Sequence, residues 1–343
     1  MGKMFEVNSL EEMCSMMCDN VVPKDNSKIE KIVGAMIGLA VGDALGVPVE
    51  FRTSGYIRRQ YGYLDKMVGG GTWGQKAGTT SDDTAMALAV AEGIIIQPED
   101  PVPAVGEKFI QWYNGKPFDV GVCCSCVISN ASYNGGDWYK ASHEYDEASG
   151  GMSGGNGGLM RTAFVGLYYK TLKEVRQNAK DICGMTHWNQ DARNDCALMS
   201  MIIHSLVDGG GKEVIEDRVM EFSSERFDLG RIEGYPFAIE PSGSSFNSMA
   251  CALHCVLTTH SFKNAVMKAV NMGGDADTIG AITGAMAGAL YGIDEIPIEW
   301  IKVLDKKIVN RVIKACSSAV VNRLGYSKNS VSKVWNGVKE GGT

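Results

Sequence analysis

Two segments far apart in the chain carry a glycine at every fourth position, and this pattern constrains the fold more than any other feature. They read GAMIGLAVGDALG and GAITGAMAGALYG. The glycines are Gly34, Gly38, Gly42, Gly46, Gly280, Gly284, Gly288 and Gly292. A spacing of four places each set on one helix face, and glycine costs about 1 kcal/mol relative to alanine in a helix. We therefore predict two central helices packed closely against each other; the alternative is coincidence in a chain with 42 glycines.

The rest of the chain has the pattern of helices joined by glycine-rich loops. Apolar residues make up 45% and charged residues 21% of the 343 residues, as in folded proteins. Alternating strand patterns are scarce, which favours one all-α domain over residues 28–343 after an N-terminal extension at 1–27. Apolar periodicity predicts helices over 29–45, 83–96, 103–113, 172–183, 192–208, 212–222, 244–257, 262–271 and 278–291, and a further periodic segment in the tail, 298–343.

Composition narrows the partners and the compartment. The balance of 33 Lys and Arg against 40 Asp and Glu gives a formal charge of -7, which excludes a chain-wide basic field for nucleic acid. The N-terminus MGKMFEVNSLEEMC lacks the apolar core of a signal peptide, and the uncharged run 278–293 is shorter than the roughly 18 residues of a membrane span. The 10 cysteines show no paired zinc-binding spacing. We expect a cytoplasmic monomer without membrane contact.

The strongest chemical signal lies in two loop-to-helix junctions, GTTSDDTAMAL and NMGGDADTIGA. Each places acids and hydroxyls before a small-residue helix: Ser81, Asp82, Asp83 and Thr84, then Asp275, Asp277 and Thr278. Independent helix capping explains one acid per helix and remains the alternative. Two unit charges roughly 4 Å apart repel by about 4 kcal/mol at an effective dielectric constant of about 20, so converging acids need a cation. Oxygen donors favour Mg²⁺ or Mn²⁺ over zinc.

Two other acids follow the first glycine-striped helix. Asp43 lies within that helix and needs partners if it is buried, so we predict a structural role or a role behind the ligands. Glu50 follows a few residues later and, taken alone, has the pattern of a surface residue.

A glycine-rich loop spans 150–166, GGMSGGNGGLMRTAFVG. Consecutive backbone N–H groups in such a loop can bind an anion such as phosphate, and the alternative is a flexible connector. Arg161 stands in this loop, and arginine pairs well with phosphate or carboxylate. His187, in THWNQDA, is a single histidine of the kind that is more often structural than functional.

Taken together, these segments resemble the ADP-ribosylglycohydrolase family, which includes the dinitrogenase-reductase-activating glycohydrolases and the animal ADP-ribosyl-acceptor hydrolases. The resemblance covers about 28–295 and rests on motifs in order along the chain: GAMIGLAVGDALGVPVEF, GTTSDDTAMAL, FDVG at 118–121, GNGGLMRTAFVGL, THWNQDA and AVNMGGDADTIGAITGAMAGALYG. Ser81 stands where the family has threonine, which keeps the hydroxyl. Phe164 stands where proline is common, which puts the shape of the loop in doubt.

The resemblance implies an orthogonal helical bundle with two Mg²⁺ or Mn²⁺ ions in a central cleft. The implied metal ligands are Glu50, Ser81, Asp82, Asp83, Asp275, Asp277 and Thr278. The implied ADP-ribose contacts are Asn156, Gly157, Gly158 and His187, with Met160 and Arg161 lining or supporting the loop. The implied catalytic residues are Glu50, Asp119 and Asp83. Asp119 would lie by the reacting ribose, and the choice between Glu50 and Asp119 as acid or base stays open.

The implied reaction is hydrolysis of the bond between C1″ of ADP-ribose and an acceptor, by a metal-oriented water and an oxocarbenium-like transition state. Arginine on a protein is the first choice of acceptor; serine, nucleic-acid ends and O-acetyl-ADP-ribose stay open, with rim segments 52–76 and 224–243 deciding among them. One alternative is a catalytically silent relative that binds ADP-ribose or serves as a structural protein. Such a protein is expected to have lost metal ligands, yet all seven implied metal-ligand positions keep an oxygen donor. Another is a metal phosphohydrolase acting on a small nucleotide.

Overall fold

The computed structural model describes residues 26–223, 225–234 and 240–326, and this part of the chain is almost entirely helical. The helices are α1 (Asn26–Gly46), α2 (Ser54–Tyr61), α3 (Asp82–Ile96), α4 (Pro101–Asn114), α5 (Val122–Tyr133), α6 (Trp138–Ala148), α7 (Ala163–Tyr168), α8 (Leu172–Gly184), α9 (Gln190–Val207), α10 (Glu213–Ser223), α11 (Leu229–Gly234), α12 (Ser245–Leu257), α13 (Phe262–Asn271), α14 (Ala276–Tyr291), α15 (Ile298–Ile301) and α16 (Lys306–Leu324). Strands β1 (Arg52–Thr53) and β2 (Gly273–Gly274) form one short antiparallel pair. The prediction of an all-α fold is confirmed.

The central pair of helices is α1 and α14, which run antiparallel with their glycine faces in contact. A Cβ atom added to Gly42 would lie 2.0 Å from the carbonyl oxygen of Gly280, and one added to Gly284 would lie 2.0 Å from that of Gly38. No side chain fits at such distances, so the two backbones touch, as predicted. Gly292 ends α14 with a φ of 85°, a conformation that favours glycine, and its backbone still lies against α1: a Cβ atom added to Gly34 would lie 2.7 Å from the Gly292 carbonyl carbon.

Helix α1 also accounts for the most apolar stretch among the described residues. The segment Ser27–Val49 is long and apolar enough to cross a membrane, and it exceeds the run at 278–293 considered from the sequence. All of its apolar window is buried inside the protein. Burial on every side is the environment of a core helix, and such helices are apolar all round.

The predicted helices up to residue 291 are present, and α2, α5, α6, α7 and α11 were not predicted. These helices are short, and α6 turns small or polar side chains such as Ala141 and Ser142 towards the interior, so its apolar period is weak.

The tail is not one continuous periodic segment, as the sequence had suggested. It breaks at 302–305, where Val303 is 39% exposed, and Asp305 caps α16 by accepting from the backbone N–H of Lys307. The predicted extension up to residue 25 and the tail beyond 326 lie outside the described residues.

The antiparallel central pair brings three loops to one end of the fold. A Cβ atom added to Gly46, at the end of α1, would lie 2.3 Å from the Cα atom of Asp277, at the start of α14. The strand pair joins the same two regions, with Arg52 opposite Gly274. A further backbone bridge joins Gly155 of the glycine-rich loop to Ser244. These contacts place the second acidic junction and the glycine-rich loop around one space, and the hydrogen bond from the backbone N–H of Ser81 to Asp43 of α1 adds the first junction.

Candidate functional site

A pocket of about 270 Å³ lies at this end of the fold and collects most of the predicted site residues. Ten of them line it: Glu50, Asp82, Asp119, Asn156, Gly157, Met160, His187, Asp275, Asp277 and Thr278. Four do not, namely Ser81, Asp83, Gly158 and Arg161. The pocket therefore has two chemically different walls. We call the side formed by Glu50, Asp82, Asp119, Asp275 and Asp277 the acid wall, and the side formed by Asn156, Gly157, Met160 and His187 the neutral wall.

The two acidic junctions meet at Asp83, which is 1% exposed. Ser81 caps α3 by accepting from the backbone N–H of Asp83, and its hydroxyl donates to Oδ2 of Asp83 at 3.0 Å. The Thr278 hydroxyl approaches the same oxygen at 3.4 Å, from a position 195 residues away. Asp275, at the N-cap of α14, makes no capping hydrogen bond. Two independent caps therefore do not explain the junctions.

Asp43 lies behind the acid wall and fixes the start of α3. It is fully buried, and its carboxylate accepts from the backbone N–H of Ser81 at 2.9 Å and from that of Thr84 at 3.1 Å. Carboxylate oxygens of Asp43, Asp83 and Asp277 lie within 4.8 Å of one another. The predicted need of Asp43 for partners is thus met by the junction that it positions.

A second group of acids faces the open pocket. Carboxylate oxygens of Glu50, Asp119 and Asp277 also lie within 4.8 Å of one another. Burial, followed by the charge of Asp119, raises the pKa of Glu50 to about 8 and that of Asp82 to about 8. Burial and Asp275 raise the pKa of Asp119 to about 6. Carboxylates so close together repel unless a cation or protons compensate.

The acid wall, together with Asp83 behind it, has the chemistry that a cation requires. Oδ1 of Asp83 is buried and has no hydrogen-bond partner, which is costly for an isolated oxygen. Burial, followed by the charge of Asp43, raises the pKa of Asp83 well above its ordinary value, and burial with Asp83 does the same for Asp277. A ligand set of carboxylates and hydroxyls suits Mg²⁺ or Mn²⁺. This buried acidic cluster can hold metal.

The neutral wall is built on the glycine-rich loop, which the segment 241–245 supports. The backbone N–H of Asn156 donates to the carbonyl oxygen of Gly243 at 2.9 Å. The Asn156 amide donates to Ser248 Oγ at 2.9 Å and to Asp275 Oδ2 at 2.7 Å. The second of these bonds ties the neutral wall directly to the acid wall.

Two predicted ADP-ribose contacts lie behind the loop and do not face the pocket. A Cβ atom at Gly158 would lie 2.5 Å from Cys183 Sγ, so this glycine packs on α8. Arg161 is fully buried and donates to the carbonyl oxygen of Ile182 at 3.0 Å. Of the two roles given to Arg161 above, lining or supporting the loop, its position fits support, because its guanidinium points into the core. Phe164 is fully buried in α7 and packs on Tyr168, so it shapes the core beneath the loop.

The structure adds Trp73, which the sequence did not single out. Its indole N–H donates to Glu50 Oε2 at 2.6 Å, and the Thr72 hydroxyl donates to the Glu50 carbonyl oxygen at 3.3 Å. The ring of Trp73 also packs on Phe118, with centroids 6.0 Å apart, next to Asp119. Only its place in the rim segment 52–76 hinted at a role, because no motif links Trp73 to an acid 23 residues earlier.

The fold and the pocket together define a class: a helical protein with a buried carboxylate centre that faces neutral hydrogen-bond donors. The family model described as ADP-ribosylglycohydrolase matches residues 24–327. The chain is 33% identical over 286 residues to an ADP-ribosyl-[dinitrogen reductase] glycohydrolase of Rhodospirillum rubrum, covering 82% of this chain and 93% of that protein. The chain belongs to the ADP-ribosylglycohydrolase family.

Two further comparisons agree. ADP-ribosylarginine hydrolase Tri1 of Serratia proteamaculans is 28% identical over 300 residues, covering 83% of this chain and 77% of the relative. A solved structure named ADP-ribosylglycohydrolase-related protein complex matches with a TM-score of 0.72 at 28% identity, covering 85% of this chain and 99% of that one. The residues matched by the family model, 24–327, contain both walls of the pocket.

Proposed function

We propose that this protein hydrolyses the bond between C1″ of ADP-ribose and a modified acceptor, with arginine on a protein as the acceptor. The observation that carries the proposal is a single pocket in which a buried acidic centre faces an amide, a glycine-rich backbone and an imidazole. The names of two relatives, a dinitrogen reductase glycohydrolase and an ADP-ribosylarginine hydrolase, support the same reaction.

We propose two Mg²⁺ or Mn²⁺ ions as the cofactor. The residues that would hold them are Glu50, Ser81, Asp82, Asp83, Asp275, Asp277 and Thr278. The unpartnered Oδ1 of Asp83 and the mutual repulsion of the acids support this set. Such ions supply positive charge that orients ribose hydroxyls and lowers the pKa of a water molecule.

The protein's own groups move the protons. In the proposed step a water oxygen joins C1″, the C1″–N bond breaks with its electron pair passing to the guanidino nitrogen, and that nitrogen takes a proton. Carboxylate oxygens of Glu50 and Asp119 lie within 4.8 Å of each other on the acid wall, so both reach the reacting carbon: one accepts the proton of the water and the other donates to the leaving group. Trp73 holds the Glu50 carboxylate in place through its indole N–H. The order of these two roles stays open.

The carboxylates of the acid wall and the aromatic rings beside them also favour an acceptor group with a positive charge. Glu50 and Asp119 lie beside the exposed aromatic rings of Phe51 and Phe118, and a guanidinium is attracted both to carboxylates and to aromatic faces. We propose an ADP-ribosylated protein as the substrate, small ADP-ribose conjugates as secondary substrates, and nucleic acid only as a modified substrate. We propose a cytoplasmic monomer without membrane contact, which the free cysteines among the described residues support.

A substrate panel tests the proposal. The full chain is incubated with Mn²⁺ or Mg²⁺ and with arginine-linked, serine-linked and nucleic-acid-linked ADP-ribose and O-acetyl-ADP-ribose, and products are identified by mass spectrometry. We expect intact ADP-ribose, released fastest from arginine and not at all after chelation. Cleavage of the pyrophosphate would support a phosphohydrolase instead. No turnover of any substrate, combined with tight ADP-ribose binding, would support a silent relative.

A further inference from the structure

Arg161 is a buried cation that forms no ion pair with a carboxylate in the described part of the chain. It is fully buried beneath the neutral wall, and its ring neighbour is Phe109, with the guanidinium carbon 4.6 Å from the ring centroid. Its Nη2 donates to the Ile182 carbonyl oxygen at 3.0 Å and to the Thr186 hydroxyl at 2.7 Å. Burying a guanidinium without a carboxylate partner is costly. We therefore ask what its hydrogen bond to Thr186 does for the pocket.

The Thr186 hydroxyl connects Arg161 to the pocket. Thr186 Oγ1 lies 2.8 Å from Nδ1 of His187, and both residues are buried. Arginine can only donate, so the Thr186 oxygen must accept from it and keeps its own proton to give away. Nδ1 of His187, 2.8 Å away, is the acceptor that lies within reach of this proton.

We propose that Arg161 and Thr186 are positioning residues that fix His187 as a neutral imidazole with its proton on Nε2. The edge of the ring that carries Nε2 faces the glycine-rich loop. Cβ atoms added to Gly155 or Gly157 would each lie 3.3 Å from Nε2, so no side chain stands between this edge and the loop backbone. The pocket thus presents a permanent N–H donor, and the ligand must offer an acceptor oxygen there. Identifying that ligand as ADP-ribose rests on the proposed function.

The charge state of the ring agrees with this assignment. Burial, followed by the positive charge of Arg161, lowers the pKa of His187 to about 3. The imidazole is therefore neutral throughout the working pH range, and only its tautomer has to be chosen. A neutral ring can donate from one nitrogen and accept at the other, and the hydrogen bond at Nδ1 decides which.

The tautomer is measured directly by two-bond ¹H–¹⁵N correlation spectra of the imidazole rings in the ¹⁵N-labelled full chain without ligand. The chain has only 5 histidines, and His187→Gln identifies the signals of His187. We expect the pattern of a neutral ring protonated at Nε2, unchanged between pH 6 and pH 8. A ring protonated at Nδ1, or a charged ring at pH 7, overturns the proposal. This readout does not depend on activity, so the proposed function can fail while the tautomer assignment holds.

Variants of Thr186 test the connection. Thr186→Val keeps the shape and removes the donor, so we expect a mixture of tautomers and ADP-ribose affinity weaker by roughly threefold to tenfold, the value of one hydrogen bond. Thr186→Ser should restore both. Thr162→Val is the matched control, because Thr162 is also fully buried and its hydroxyl donates only to the Leu159 carbonyl oxygen. A Thr186→Val spectrum identical to that of the original chain would show that Thr186 does not set the tautomer.

Discussion

The acid wall and the neutral wall face each other across one pocket and are stabilised in opposite ways. Burial and mutual repulsion raise the pKa values of the carboxyl groups on the acid wall, so this side is unfavourable until protons or cations arrive. The neutral wall is satisfied within the protein: the Asn156 amide has two acceptors, and His187 has Thr186. The difference shows that one wall needs compensation by protons or a cation, whereas the other is preorganised for a polar ligand.

One hydrogen bond joins the two walls, which fits the proposal that both act on one substrate. The Asn156 amide donates to Asp275 Oδ2 at 2.7 Å, so a group that binds the neutral wall is held at a fixed distance from the acids. A glycosidic bond is cleaved efficiently only if the reacting carbon is positioned against the attacking water. The comparison therefore predicts that damage to the acid wall abolishes chemistry, whereas damage to the neutral wall weakens binding.

The largest effect is expected for Asp277→Ala, and likewise for Asp83→Ala. Each removes a buried carboxylate from the centre that would hold the ions, so turnover should fall by at least about 10³-fold. Stability should change in the opposite direction: the metal-free variant should be no less stable than the original chain, because repulsion is relieved. Turnover assays and calorimetric Mn²⁺ titration measure both effects.

Asp217→Ala is the control for these variants, since it removes an exposed acid on α10. It should change neither turnover nor Mn²⁺ binding. Normal release of ADP-ribose by Asp277→Ala would refute the assignment of the acid wall as the reactive centre.

The next effect is the pH dependence of stability without metal. Glu50 and Asp82 have pKa values of about 8 when folded and near 4 when unfolded, so the folded state holds their protons more tightly. Their contribution is fully present at low pH and is lost as pH rises towards 8. The free energy of unfolding in chelator should therefore fall between pH 6 and pH 8, by up to about 2 kcal/mol for each of the two groups.

Saturating Mn²⁺ should reverse this slope, because cation binding requires deprotonated carboxylates and is tighter at higher pH. Urea unfolding at several pH values, with and without Mn²⁺, measures both slopes. Asp82→Asn should flatten the metal-free slope. A metal-free protein whose stability does not vary over this range would contradict the account of the acid wall.

The smallest effect is expected on the neutral wall, for Gly157→Ala. The added Cβ atom would lie 3.0 Å from His187 Cε1 and 3.1 Å from Cys124 Sγ, so the loop must shift by a few tenths of an ångström. ADP-ribose affinity should weaken by roughly fivefold to tenfold, while Mn²⁺ affinity stays within about twofold. Gly154→Ala, in the same loop, is the control because its nearest contact would be an ordinary 3.6 Å. Equal losses of both affinities would show that the walls are not separable.

Much of the fold could be predicted from the sequence, because its strongest signals are periodic. The glycine faces of α1 and α14 predicted direct contact, and the Gly42–Gly280 approach confirms it. The short helix α6 was missed because it buries Ala141 and Ser142 and so has little apolar period, whereas α5 was missed although its buried residues follow a helical period. The break before α16 was missed because Val303 fits the period but lies near the surface.

Some residues of the site could be predicted from the sequence and others could not. The acidic motifs located most of the acid wall, since adjacent acids before an apolar helix are rare enough to notice. Trp73 carried no local signal, because its bond to Glu50 forms between two loops. The sequence left open whether Arg161 lines the loop or supports it, because the direction of its side chain depends on the core beneath it, where Thr186 and Ile182 accept its protons.

The sequence by itself determined which residue types and backbone periods exist, and with them the helical class, the close central pair and the presence of hard oxygen donors. Only the tertiary structure decided which donors share one space, because the 195 residues between Thr278 and Asp83 are bridged by the packing of α1 on α14. It also decided which polar groups are left without partners, since burial and hydrogen-bond satisfaction are properties of assembled neighbours.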